Sequence, residues 1–139
     1  MNPGVSPPEP ARPRAIVAGH GAFAAGIVSA VGAITGRADA FVALSNVGLG
    51  AAEIERVLLE TVDTLGIGVI FTDLPMGSCT MAVRRVQRTY PGLVLVTGVN
   101  LATLLEFVMQ ADLPAPEAAE RAAAKGRETL KLHEGPRVG

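Results

Sequence analysis

The sequence lacks a second cysteine. Cys79 is the one thiol in 139 residues, so no internal disulfide can form, and a reducing compartment fits. It lacks an excess of charge of either sign. Twelve Lys and Arg stand against 13 Asp and Glu, a net charge of −1, where a nucleic-acid binder carries a basic excess. It has no acidic tail, no internal repeat and no coiled-coil heptad. It also lacks the apolar-poor composition of a disordered chain: 49% of residues are hydrophobic and 18% charged, which is globular. The length suits one domain that buries a core without metal or disulfide.

Several familiar signatures are missing. Gly19-x-Gly21-x-x-x-x-Gly26 has the wrong last spacing for a dinucleotide fingerprint, and the second strand ends in Ser45-Asn46 with no acid for a ribose. No phosphate-loop motif with Gly-Lys-Ser/Thr, no Gly-x-Ser-x-Gly elbow and no cluster with metal-ligand spacing occurs. One apolar run needs weighing as a membrane or signal segment. Ala15 to Gly36 has no charge between Arg14 and Arg37, and Arg12 and Arg14 precede it as in a signal peptide. It lacks the leucine density of a spanning helix. It holds Gly19, Gly21, Gly26, Gly32 and Gly36 together with His20, a costly group at mid-depth. It reads better as a strand and helix in the rhythm of the rest.

That rhythm is what the sequence does contain. Residues 1–13 carry five of the ten prolines and read as a flexible leader; residues 133–139 read as a flexible tail, with His133 solvated. Between them, short apolar runs alternate with amphipathic stretches. Strands are expected at 14–19, 40–44, 66–72 and 93–96. Helices are expected at 21–34, with Phe23, Ile27, Ala30, Val31 and Ile34 on one face, and at 51–65, with Ile54, Val57, Leu58, Val62 and Leu65 as a stripe. Further helices follow at 78–90, after Asn100 as a cap with Leu101, Leu104, Leu105 and Val108 inward, and at 117–132. Four strands alternating with helices, each strand apolar on both faces, indicate an α/β three-layer sandwich: a central four-stranded, mainly parallel sheet with helices on both faces.

In such sheets ligands bind beyond the carboxyl ends of the strands. There the chain places Gly19-His20-Gly21 after strand one, Asp73-Leu74-Pro75-Met76-Gly77-Ser78 after strand three, and Thr97-Gly98-Val99-Asn100 after strand four. Each has an ordinary reading: a solvated histidine, a turn aspartate, a serine N-cap. Together they have a chemical one. A neutral imidazole is a nucleophile. A carboxylate on one ring nitrogen fixes the tautomer and leaves the other free. A helix start at Ser78 offers N–H groups to phosphoryl oxygens. Cys79 reads as a packing residue rather than a reactive thiol.

These runs resemble the mannose/fructose-type IIA components of the sugar phosphotransferase system. AIVAGHGAFAAGIVSAVGAITG is similar to their opening strand and helix, VIFTDLPMGSC to their third strand and turn, and VLVTGVNLATLLE to their fourth strand and helix, in the same order over residues 14–131. The resemblance implies that His20 takes the phosphoryl group, that Asp73 orients it, and that Ser78, with Gly77 and Gly21, contacts the phosphate; it implies no cofactor and no metal. It further implies a cytoplasmic phosphotransferase and homodimer, its sheet completed by an edge strand exchanged between subunits. Such a protein takes phosphate from the carrier protein HPr and hands it to a IIB component. It meets the membrane only indirectly, through a IIC/IID transporter. The chain departs from the family's usual Gly-Gly-Ser-Pro turn at Pro75, Met76 and Cys79. Proline is expected to stiffen that turn and methionine to narrow it. The C-terminal KLHEGPRVG is poor as a strand. Two other functions fit the same residues: a regulatory module switched by a phosphohistidine, and a non-catalytic domain that binds an anion at the Ser78 helix start.

Overall fold

The computed structural model describes residues 12–138. Most of the expected leader therefore lies outside the described residues. The elements run β1 (Ala15–Gly19), α1 (Phe23–Thr35), a 3₁₀ turn (Ala38–Ala40), β2 (Phe41–Ser45), α2 (Ala51–Leu65), β3 (Val69–Thr72), α3 (Ser78–Thr89), β4 (Val94–Val96), α4 (Leu101–Met109) and α5 (Ala115–Thr129). The four strands form one sheet in the order β2-β1-β3-β4, and every pairing is parallel.

Alternation along β1 sorts the core into two layers, because successive side chains of a strand point to opposite faces. Ala15 and Val17 pack with α1, α4 and α5, around Val28, Val31, Leu104, Phe107 and Ala118. Ile16 and Ala18 pack with α2 and α3, around Ile54, Leu58, Val62, Val83 and Val86. Helices thus cover both faces, as expected. Phe71 and Phe107 meet edge-on at 5.1 Å between centroids, with Phe41 beside them, and Arg14 stacks 5.0 Å over Phe107. The Arg14 guanidinium also donates to the Leu113 carbonyl (2.6 Å), tying β1 to the segment after α4.

Some expectations shift. α2 has the expected bounds, yet Leu65 at its end is exposed. α1 presents Ala24, Val28 and Val31 to the core, and Ile34 is 61% exposed rather than inward. In a helix of alanine, glycine and β-branched residues, hydrophobicity varies too little around the axis to mark a face. On α4, Thr103, Leu104 and Phe107 are the buried residues, with Leu101, Leu105 and Val108 partly covered. Asn100 caps that helix, accepting from the Thr103 N–H.

Candidate functional site

β1 is a central strand, with β2 on one side and β3 on the other. The segments after all three therefore meet at one rim. The β1–β3 register sets Ala18 beside Thr72, so His20 and Asp73 emerge together. The imidazole lies open, its side chain 46% exposed against 11% for Asp73.

Asp73 Oδ2 accepts two hydrogen bonds from His20: one from its backbone N–H (2.9 Å) and one from the ring at Nδ1 (2.8 Å). Burial alone would raise the Asp73 carboxyl. The two bonds and the nearby imidazole outweigh it and hold the group below its ordinary value. Asp73 is thus ionised at neutral pH, and a carboxylate can only accept. Nδ1 must then carry the proton, and Nε2 is left with a free lone pair. The tautomer follows from this hydrogen-bond pattern.

Two glycines make the approach possible. A Cβ on Gly19 would stand 2.8 Å from Phe23 Cδ1 and 3.1 Å from Asp73 Oδ2, so a side chain there would push both aside. Gly77 has φ 134°, outside the range of side-chain-bearing residues. A Cβ there would sit 3.1 Å from His20 Cε1, crowding the ring.

Ser78 departs from its ordinary reading. Gly77 occupies the cap position, Ser78 is the first helical residue, and no side chain caps α3. The Ser78 Oγ is buried and has no hydrogen-bond partner among the described residues, an uncommon state for a polar atom. The first N–H groups of α3 also lack intrahelical partners. Gly21 is held differently: its N–H donates to Asn46 Oδ1 (3.2 Å), so it is turned toward β2. Met76 is 74% exposed, so it lies in solvent instead of filling the turn. Cys79 is buried. Burial first, then the charge of Asp73, pushes its thiol above the ordinary value, the opposite of a reactive cysteine.

Two contributions were invisible in the sequence. The buried Thr80 hydroxyl donates to the Leu74 carbonyl (2.6 Å), and Thr72 donates to Thr80 (2.7 Å), pinning the turn that carries Asp73. Ser45 and Asn46 bind the His20 turn from the other side. Among the described residues no group of three or more His, Cys, Asp or Glu could hold a metal ion, and no helix is long and apolar enough to cross a membrane.

A doubly covered parallel sheet with a carboxylate-steered histidine at its rim is thus the class of structure this chain forms. More particularly, it has the fold of the mannose-type IIA components of the phosphotransferase system. It superposes on the mannose/sorbose-specific IIA subunit from Enterococcus faecalis with a TM-score of 0.77 and 22% identity, covering 93% of this chain and 100% of the other. The IIA protein associated with the fucose utilization operon of Streptococcus pneumoniae gives 0.72 and 23%, over 87% and 93%. A sigma-54 interaction domain protein from Enterococcus faecalis gives 0.65 and 14%, over 85% and 93%. At these identities the likeness is one of fold. No protein-family profile and no curated protein matches the sequence.

Proposed function

We propose that the chain is a phosphotransferase whose His20 accepts a phosphoryl group from phospho-HPr and passes it to a IIB component during sugar uptake. The observation that carries this reading is the Nδ1–Asp73 Oδ2 contact of 2.8 Å, which leaves Nε2 on the other side of a half-exposed ring, next to Gly77. In the first step the Nε2 lone pair forms the new N–P bond, and the bond to the donor's nitrogen breaks with its electron pair staying on the donor. The His20 ring becomes cationic, and Asp73 stabilises it through Nδ1–H. The unpaired Ser78 Oγ and the first N–H groups of α3 hold the phosphoryl oxygens, where the helix dipole favours negative charge. Such transfer depends mainly on positioning and electrostatics. The second step reverses the first, with a nucleophile on IIB taking the phosphorus.

A homodimer belongs to this reading. β4 is an edge strand. Beside it lies a groove of about 490 Å³ lined by Leu95, Val96, Thr97, Asn100, Arg127 and Leu130 among others. The chain after α5 leaves Leu130, Leu132 and Val138 in solvent, at 86%, 85% and 102% exposure. Exposed apolar side chains in a segment that starts at Leu130, in the groove beside the open edge, suit exchange of that segment with a second copy. The protein works in the cytoplasm and reaches the membrane only through a IIC/IID transporter.

Incubation with phospho-HPr tests the reading. Wild-type chain should gain one acid-labile phosphoryl group and His20→Ala none; an equally labelled His20→Ala protein would end it. A regulatory phosphohistidine switch is the second reading, favoured by the sigma-54 interaction domain protein among the similar folds. A IIB component that takes phosphate from this chain and serves a sugar-transporting IIC would exclude it.

A further inference from the structure

β2 ends on the side of β1 opposite Asp73, and its register with β1 sets Ser45 directly beside Gly19. That neighbourhood completes the hydrogen bonding of the turn around His20. From the Gly19 carbonyl to the Gly21 carbonyl there are five backbone polar groups. The Gly19 carbonyl accepts from Asn46 N–H (3.2 Å), and the His20 carbonyl from Phe23 N–H (3.0 Å). The His20 N–H donates to Asp73 (2.9 Å). The Gly21 N–H donates to Asn46 Oδ1 (3.2 Å), and the Gly21 carbonyl accepts from Ser45 Oγ (2.8 Å). Three of the five are met by Ser45 and Asn46. Ser45 Oγ also accepts from Val47 N–H (3.1 Å), so its rotamer is fixed from both sides. The turn would otherwise be loose: it is exposed from His20 to Ala22, and Gly21 has φ 55°.

We infer that Ser45 and Asn46 are positioning residues for His20. They hold the Gly19–Gly21 backbone so that the ring nitrogen and the backbone N–H of His20 reach the same Asp73 oxygen. Among the described residues neither hydrogen-bonds the imidazole. Asp73 pulls the turn from β3, and the Ser45–Asn46 pair braces it from β2. Without the brace the glycine-flanked turn regains freedom and the Nδ1–Asp73 bond loses occupancy. Nδ1 and Nε2 then compete for the single ring proton. The phosphoryl-transfer reading enters only through the rate, since a small misplacement of a reacting atom costs a large factor.

Ring ¹⁵N spectra of the full chain at neutral pH test this, with His20 identified against His20→Ala. Wild type should show Nδ1 protonated and Nε2 bare. In Ser45→Ala/Asn46→Ala both nitrogens should move toward the average of the two tautomers, while Ser45→Thr, which keeps the hydroxyl, stays at the wild-type shifts. With phospho-HPr the double variant should lose about tenfold in transfer rate at unchanged KM. A folded double variant with wild-type ring shifts overturns the inference, as does one that loses only thermal stability. Should the double variant fail to fold, Ser45→Ala and Asn46→Ala singly give the same reading. A wild type that accepts no phosphoryl group defeats the proposed function, and the ring shifts still decide the positioning role.

Discussion

Asp73 serves His20 twice through one oxygen, and that double use gives the pair its acid dependence. The bonds require an ionised acceptor, and the native carboxyl titrates below its ordinary value. A group depressed in the native state stabilises the fold above the unfolded value, about pH 4 for a carboxyl, and that contribution is lost as the pH falls through the lower native one. Asp73→Asn should therefore be less stable than wild type at pH 7, and the gap should narrow at pH 3. Thermal melts of both proteins at the two pH values check it; a gap that is constant or widens in acid would refute the assignment. The pairing of His20 with Asp73 was legible in the sequence because each follows an apolar run at the same sheet edge. The cap role expected of Ser78 was not, since Gly77 takes the cap position and leaves the serine hydroxyl unpaired. Ser45, Asn46, Thr72 and Thr80 carried no signal, because their partners come from register and turn geometry rather than from spacing along the chain.

At the level of elements, legibility followed contrast. α2 alternates charged and aliphatic residues, and its bounds Ala51–Leu65 were readable to the residue. β3 was expected from residue 66 but begins at Val69, because Gly66 instead closes α2 in a left-handed conformation. α5 begins at Ala115, directly after Pro114, earlier than the apolar pattern marked. Its Gly126 is an unreadable necessity: it is buried against α4, and its carbonyl accepts from the Asn100 amide (2.9 Å). Glycine inside a helix ordinarily costs about 1 kcal/mol relative to alanine. Here a Cβ would run into the Thr103 Oγ1. Overpacking of about 1–3 kcal/mol then exceeds the propensity gain. Gly126→Ala should lower the stability measured by urea unfolding; a stabilised variant would show that α5 shifts freely on α4.

Among the described residues, the β4 edge and the apolar residues beyond α5 are exposed features that a single copy leaves unused. KLHEGPRVG reads poorly as a strand by its residues, and in one copy its described residues, 131–138, form none. Pairing in a sheet depends on what lies alongside as much as on propensity, so this segment's role is decided between molecules. Truncation after Thr129 should give a monomer by sedimentation where the full chain is a dimer. A monomeric full chain, or a dimeric truncated one, would remove the exchanged segment from the account.

The phosphoryl group itself offers the most direct test of that account. Asp73 occupies Nδ1 of His20, so the proposed transfer requires phosphorus to bond at Nε2. Correlated ³¹P and ¹⁵N spectra of the chain after reaction with phospho-HPr, kept at alkaline pH, should show the N–P bond at Nε2 with Nδ1 still protonated. A bond at Nδ1, or a His20 ring left unmodified by a competent donor, would contradict it.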